Sequence, residues 1–214
     1  MIIFQLFENP IAFLAWVASL VVAISVHEFS HAFAANLLGD PTAKSQGRMT
    51  LNPLKHLDVY GTLLLLIAGF GWGKPVPINQ YNLKNPRSAS AIISLAGPFS
   101  NFVMIVVFGL LLRFVYPLFG LGETNMLFEF LYTLILMNTL LMTFNLIPIP
   151  PLDGSKILFA LLPPSMEEIK MFLEQWGFLI LLGLVFFANG IFSSIFSFAL
   201  GLINQFLGLG VSFI

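Results

Sequence analysis

His27-Glu28-Phe29-Ser30-His31 lies inside an apolar stretch running from Ile11 to about Leu38. Ionisable side chains are costly at membrane depth, so such a cluster marks a functional site by default. Helical i, i+4 spacing puts both imidazoles on one face, one turn apart, where they can share a metal ion. Glu28, the residue after the first ligand, then reaches a water beside the metal rather than the metal itself. The chemistry on offer is metal-assisted hydrolysis. The plainer reading is a pair of satisfied core histidines, but a chain with only 3 His rarely meets H-E-x-x-H by chance.

A catalytic zinc site takes three protein ligands and keeps one position open. The third ligand has to reach the same depth as His27 and His31. Asp153 qualifies, within Asn145-Leu-Ile-Pro148-Ile-Pro150-Pro151-Leu152-Asp153-Gly154. No other Asp or Glu occurs between residues 130 and 166, and three prolines break the chain just before it. A broken helix at membrane depth must line a cavity or be buried in protein. Asp is also a favoured N-cap, so Asp153 alone could simply open the helix near Gly154-Ser155. Taken with the two histidines, the ligand reading is the stronger.

The elements that must position these groups are membrane helices. The chain has 58% hydrophobic and 9% charged residues, with a mean hydropathy of +0.94; soluble proteins carry about a quarter charged. Its 214 residues are read as one membrane domain, 1–214, with no room for a sizeable soluble module. A net charge of −1 gives no basic field for nucleic acid, and the absence of Cys excludes disulfides and thiolate ligands. The first apolar segment lacks a basic leader and runs too long for a signal peptide.

The expected fold is an all-α polytopic membrane protein of about four to six transmembrane helices, since ~20 residues cross the hydrocarbon core. Helices are expected over 11–38, 88–115 and 126–147, the Leu152-Asp153-Gly154 segment over 148–163, and a helical region or hairpin over 176–209. Asn189-Gly190 is the natural break in the last of these. Between the first two long spans, 57–80 is too short to cross. Residues 62–70 are apolar, and Gly71-Trp72-Gly73-Lys74-Pro75-Val76-Pro77-Ile78-Asn79 follows. This is read as a re-entrant segment or small β-hairpin. Pro75 and Pro77 lack donors, which makes any strand here an edge strand.

Lys44, Arg48, Lys55, Lys74, Lys84 and Arg87 fall in the two connections that follow the first helix, whereas the 116–125 connection holds only Glu123. The positive-inside bias therefore puts the histidines in the cytoplasmic half of their helix and ends the third segment at the same face. Arg113 opposes this mildly and is expected to snorkel. His56 is read as a solvated or interfacial loop histidine, Asn101 as a structural residue or a support behind a ligand, and 165–174 as a solvated connection.

With these residues in place, the chain resembles the site-2 protease family (peptidase M50) of intramembrane zinc metalloproteases, in its compact prokaryotic form without PDZ or CBS domains. Besides His27-Glu28-x-x-His31 and Asn145 with Leu152-Asp153-Gly154, the likeness takes in Gly47-Arg48-Met-Thr-Leu-Asn52-Pro53, Gly73-Lys74-Pro75-Val76-Pro77 and Ala96-Gly97-Pro98-Phe99-Ser100-Asn101. The resemblance implies one zinc on His27, His31 and Asp153, with Glu28 as general base. It also implies that Asn145 contacts the substrate backbone or the developing oxyanion, and that 74–79 pairs with an unwound substrate; Val76 and Ile78, which keep their N–H groups between the prolines, are the residues read as pairing. The implied partners are the lipid bilayer and single-span transmembrane proteins, cut near the cytoplasmic face of a prokaryotic inner membrane in regulated intramembrane proteolysis. A non-proteolytic metal-binding scaffold or carrier, or a metallohydrolase of lipid-like substrates, would keep the same ligands.

Overall fold

The computed structural model describes residues 5–68, 71–120, 125–187 and 189–208. Among them, five helices are long and apolar enough to cross a membrane. The first, α1 (Pro10–Leu37), opens with Pro10 at its first position, while the Asn9 side chain accepts from the Ala12 amide at 3.1 Å. Proline loses nothing at a helix start, and Asn takes up one of the donors left over there. Ser19, Ala23, His27, His31 and Ala35 follow one another at four-residue spacing, and all are buried. Small side chains on one stripe let a neighbouring membrane helix come close.

The segment after α1 corrects one expectation. It holds a short helix, α2 (Val59–Ala68), and no strand occurs among the described residues. At 1.5 Å per residue, its 10 residues cover about half of a bilayer core. The chain then doubles back: a Cβ built on Gly61 would lie 2.9 Å from the Trp72 backbone nitrogen, so only glycine allows this crossing. The expected hairpin is reduced to one antiparallel bridge, Leu57 to Gly73, with the Lys74 amide donating to the His56 carbonyl at 2.8 Å. Pro75 and Pro77 cannot donate, so no ladder continues beyond it.

Beyond this come α3 (Pro86–Leu110), α4 (Met126–Asn145), a short helix α5 (Asp153–Leu161), and then α6 (Glu167–Phe187) and α7 (Asn189–Leu207). The core of the molecule is α3 packed against α1, α4 and α5, with α1 also on α4. α7 rests on α4, and Ile203 and Leu207 join Ile105, Leu112, Tyr116 and Ile135 in a buried apolar cluster. Residues 165–174, expected as a solvated connection, instead form the start of α6 from Glu167 onward. Glu167 and Lys170 pair at 2.9 Å on its exposed surface. α7 begins at Asn189, where a break was expected. Arg113 does not snorkel freely: its Nη1 donates to the Leu207 carbonyl at 2.5 Å, capping the end of α7, where a cation suits the helix dipole.

Candidate metal centre

α1 and α5 bring three ligand atoms to one point. His27 Nε2 and His31 Nε2 are 3.0 Å apart, and Asp153 Oδ2 lies 3.1 and 3.2 Å from them. Both imidazoles are buried and Asp153 is half-buried. Asp153 is the first residue of α5, with Leu152 in the capping position and no side-chain cap bond, so its carboxylate serves the histidines rather than its own helix.

The far side of each ring fixes its proton. His31 Nδ1 is 2.7 Å from the Ile93 carbonyl, which can only accept, so this nitrogen carries hydrogen. His27 Nδ1 is 2.6 Å from Asn101 Oδ1. The Asn101 amide nitrogen is already committed to Asn138 Oδ1 at 2.9 Å and to the Ala23 carbonyl at 3.3 Å. The oxygen therefore faces His27, and His27 Nδ1 donates. Both Nε2 atoms are left with bare lone pairs pointing at each other and at Asp153 Oδ2, a buried oxygen without a hydrogen-bond donor. Protonating one imidazole would serve the carboxylate but not the second nitrogen. A cation satisfies all three at once.

Zinc fits this donor set. Ligand atoms at ~2.0–2.1 Å from a tetrahedral ion lie roughly 3.3 Å from each other, near the spacing found here, and two neutral imidazoles with one carboxylate leave the fourth position open. The backing of each imidazole by an acceptor is the usual support for a metal-binding histidine.

Gly97 makes the approach of α3 possible. A Cβ there would lie 2.6 Å from Cε1 of both His27 and His31. The sequence pattern includes Gly97 but gives no reason for it. Asn138, buried in mid-helix on α4, went unnoticed there, its only signal being an amide in an apolar span. Asn101 is the hydrogen-bonded support behind His27.

Glu28 is half-buried on α1, one residue after His27 and three before His31. Asn145 ends α4 with its amide nitrogen donating to the Leu141 carbonyl at 3.0 Å, and no hydrogen bond joins it to the three ligands.

The segment holding Val76 and Ile78 is tied down at both ends. Arg48, buried, donates to the Lys74 carbonyl at 2.6 Å, and the Asn79 amide donates to Asp40 Oδ2 at 2.7 Å. Between these ties the Val76 and Ile78 amides have no partner among the described residues. A Cβ on Gly73 would sit 3.9 Å from Ile24 Cγ2, so the segment starts one turn before Glu28, on the same face of α1, and ends past the helix at Asp40. The Val76 and Ile78 amides thus lie in a stretch without regular secondary structure, anchored near Ile24 at one end and at Asp40 at the other.

His56 is not the solvated loop residue expected. It is fully buried, its Nε2 donating to the Thr50 carbonyl at 2.7 Å beneath the Leu57–Gly73 bridge.

The model of peptidase family M50 matches residues 120–184. A Bacillus subtilis protein named putative zinc metalloprotease YwhC is 43% identical over 169 residues, covering 78% of this chain and 77% of that protein. The chain belongs to peptidase family M50. A Rip2 protein of Mycolicibacterium smegmatis, similarly named, is 31% identical over 179 residues, covering 81% and 67%. The zinc metalloprotease MJ0392 of Methanocaldococcus jannaschii is 26% identical over 166 residues, covering 78% and 40%. No solved structure matches the chain. As an M50 member with five span-length helices, the protein is a multi-pass membrane zinc metalloprotease.

Proposed function

We propose that this M50 protease is an endopeptidase that hydrolyses peptide bonds within transmembrane segments, near the cytoplasmic face of the membrane. The observation that carries the reading is the convergence of His27, His31 and Asp153 with free lone pairs inside a membrane helix bundle. Bound zinc supplies Lewis acidity, which polarises a carbonyl and makes water a better acid. Glu28 accepts the proton of the attacking water and passes it to the leaving amine. Asn145 donates its amide hydrogen to the oxyanion, which suits a buried site because it adds no charge.

A transmembrane substrate arrives with its amides hidden in helical hydrogen bonds. The Val76 and Ile78 amides offer replacement partners by strand addition, and the anchoring of their segment near Ile24 and at Asp40 supports a role along the helix that carries Glu28. The Lys and Arg residues of the connections on both sides of this segment support placing that end of the bundle in the cytoplasm.

Glu28→Gln tests the assignment. The variant keeps its zinc and loses nearly all turnover of a single-span substrate, because an amide cannot take the water proton. Cleavage at the parental rate would place the base elsewhere.

A further inference from the structure

Asn138 sits in the middle of α4, fully buried, and its hydrogen bonds go to Asn101 and Leu134 rather than to His27, His31 or Asp153. Its amide nitrogen donates to the Leu134 carbonyl at 2.8 Å, and its oxygen accepts from Asn101. We propose that Asn138 is a positioning residue for the metal centre, acting through Asn101 to hold His27 in the form that presents a bare Nε2. The inference rests on the reading of His27, His31 and Asp153 as the metal ligands.

An amide group has a donating end and an accepting end of nearly the same shape, and which end faces His27 decides where the imidazole carries its proton. With Asn101 Oδ1 toward the ring, Nδ1–H donates and Nε2 is free to bind metal. With the amide reversed, Nδ1 would accept, the proton would move to Nε2, and His27 would no longer be a ligand. Reversal of Asn101 is opposed because its oxygen would then meet two acceptors, Asn138 Oδ1 and the Ala23 carbonyl. Reversal of Asn138 is opposed in turn by the Leu134 carbonyl, which only accepts. Two backbone carbonyls, on α1 and α4, therefore fix the polarity of the whole chain of donors. Water does not compete, since both amides are 0% exposed, and an unpaired polar group here costs its full desolvation. The chain also ties α4 to α3 and α1 at the level of the metal.

Zinc affinity of the purified full-length protein, measured by competition with a chelator, tests this. Asn138→Leu removes the acceptor for Asn101 and weakens zinc binding ~10–100-fold, the usual effect of losing a supporting partner. Asn138→Asp, in the neutral acid form, keeps an oxygen facing Asn101 and an O–H facing the Leu134 carbonyl, and restores binding to near the parental level. Adding Asn138→Leu to Asn101→Leu weakens binding no further, because both act along one path. Asn138→Ala gives the same contrast should the Leu variant fail to fold. Unchanged zinc affinity in Asn138→Leu with a lowered unfolding temperature would reduce Asn138 to packing and overturn the proposal. So would equal losses in the Leu and Asp variants, or additive losses in the double variant. A parental protein that binds no zinc would overturn the ligand reading and this inference together.

Discussion

The Asn145 amide donates to the carbonyl four residues earlier, a bond within its own helix that leaves its oxygen uninvolved in the metal centre. Its place at the last turn of α4, a short connection before Asp153, suits a donor that engages only when substrate is present. Asn145→Leu should therefore slow cleavage by ~10²–10³, the worth of an oxyanion donor, with zinc content unchanged; metal analysis beside a rate measurement checks it, and loss of zinc would move Asn145 into the metal shell. At this scale the sequence spoke clearly where chemistry demands a residue type. Histidines and carboxylates are rare at membrane depth, so His27, His31 and Asp153 stood out. Gly97 and Asn138 did not, because glycine and asparagine are ordinary packing residues in membrane helices, and only the approach of α3 and α4 to His27 gives them meaning. The burial of His56 departs from a solvated position for the converse reason: nothing local to a loop histidine reveals that the Leu57–Gly73 bridge will form next to it.

Among the elements, the segment from Gly73 to Asn79 departs most from expectation and bears most on substrate handling. Alternate prolines announce an open edge, but they also prevent the hairpin that the same pattern suggests, leaving an irregular chain held at its ends by Arg48 and Asp40. Val76→Pro removes a free amide from that edge. It should impair cleavage of a helical membrane substrate more than of a short extended peptide, with zinc retained; equal loss on both would point to general binding instead. The Asp40 tie has its own signature. Burial pushes the Asp40 carboxyl up, but hydrogen bonds from Thr42, Asn82 and Asn79 outweigh it and hold the group below its ordinary 3.8. A carboxyl lowered on folding stabilises above its unfolded value and loses that contribution as pH falls through its folded one. The unfolding temperature of Asp40→Asn should thus lie below the parental value from neutral pH down to about 4, with the gap closing in stronger acid. A gap unchanged in acid would show that Asp40 contributes no ionised tie.

For the molecule as a whole, helix type and approximate number were legible from length and apolarity alone, since a bilayer demands ~20 residues per crossing. The boundary at Glu167 was not, because charged residues suit a solvated loop and the exposed first turns of a helix equally well. The helices converge so that α1 supplies two candidate ligands, α5 the third, and α3 and α4 the groups behind the two imidazoles. The central claim is that this convergence cuts peptide bonds inside membrane-spanning helices. The direct measurement is to reconstitute the purified protein with candidate single-span proteins, with and without a zinc chelator, and to map the products by mass. The account predicts a cut within the transmembrane segment, toward its cytoplasmic end, abolished by chelator and restored by added zinc. Cleavage confined to soluble loops, or cleavage indifferent to chelator, would contradict it.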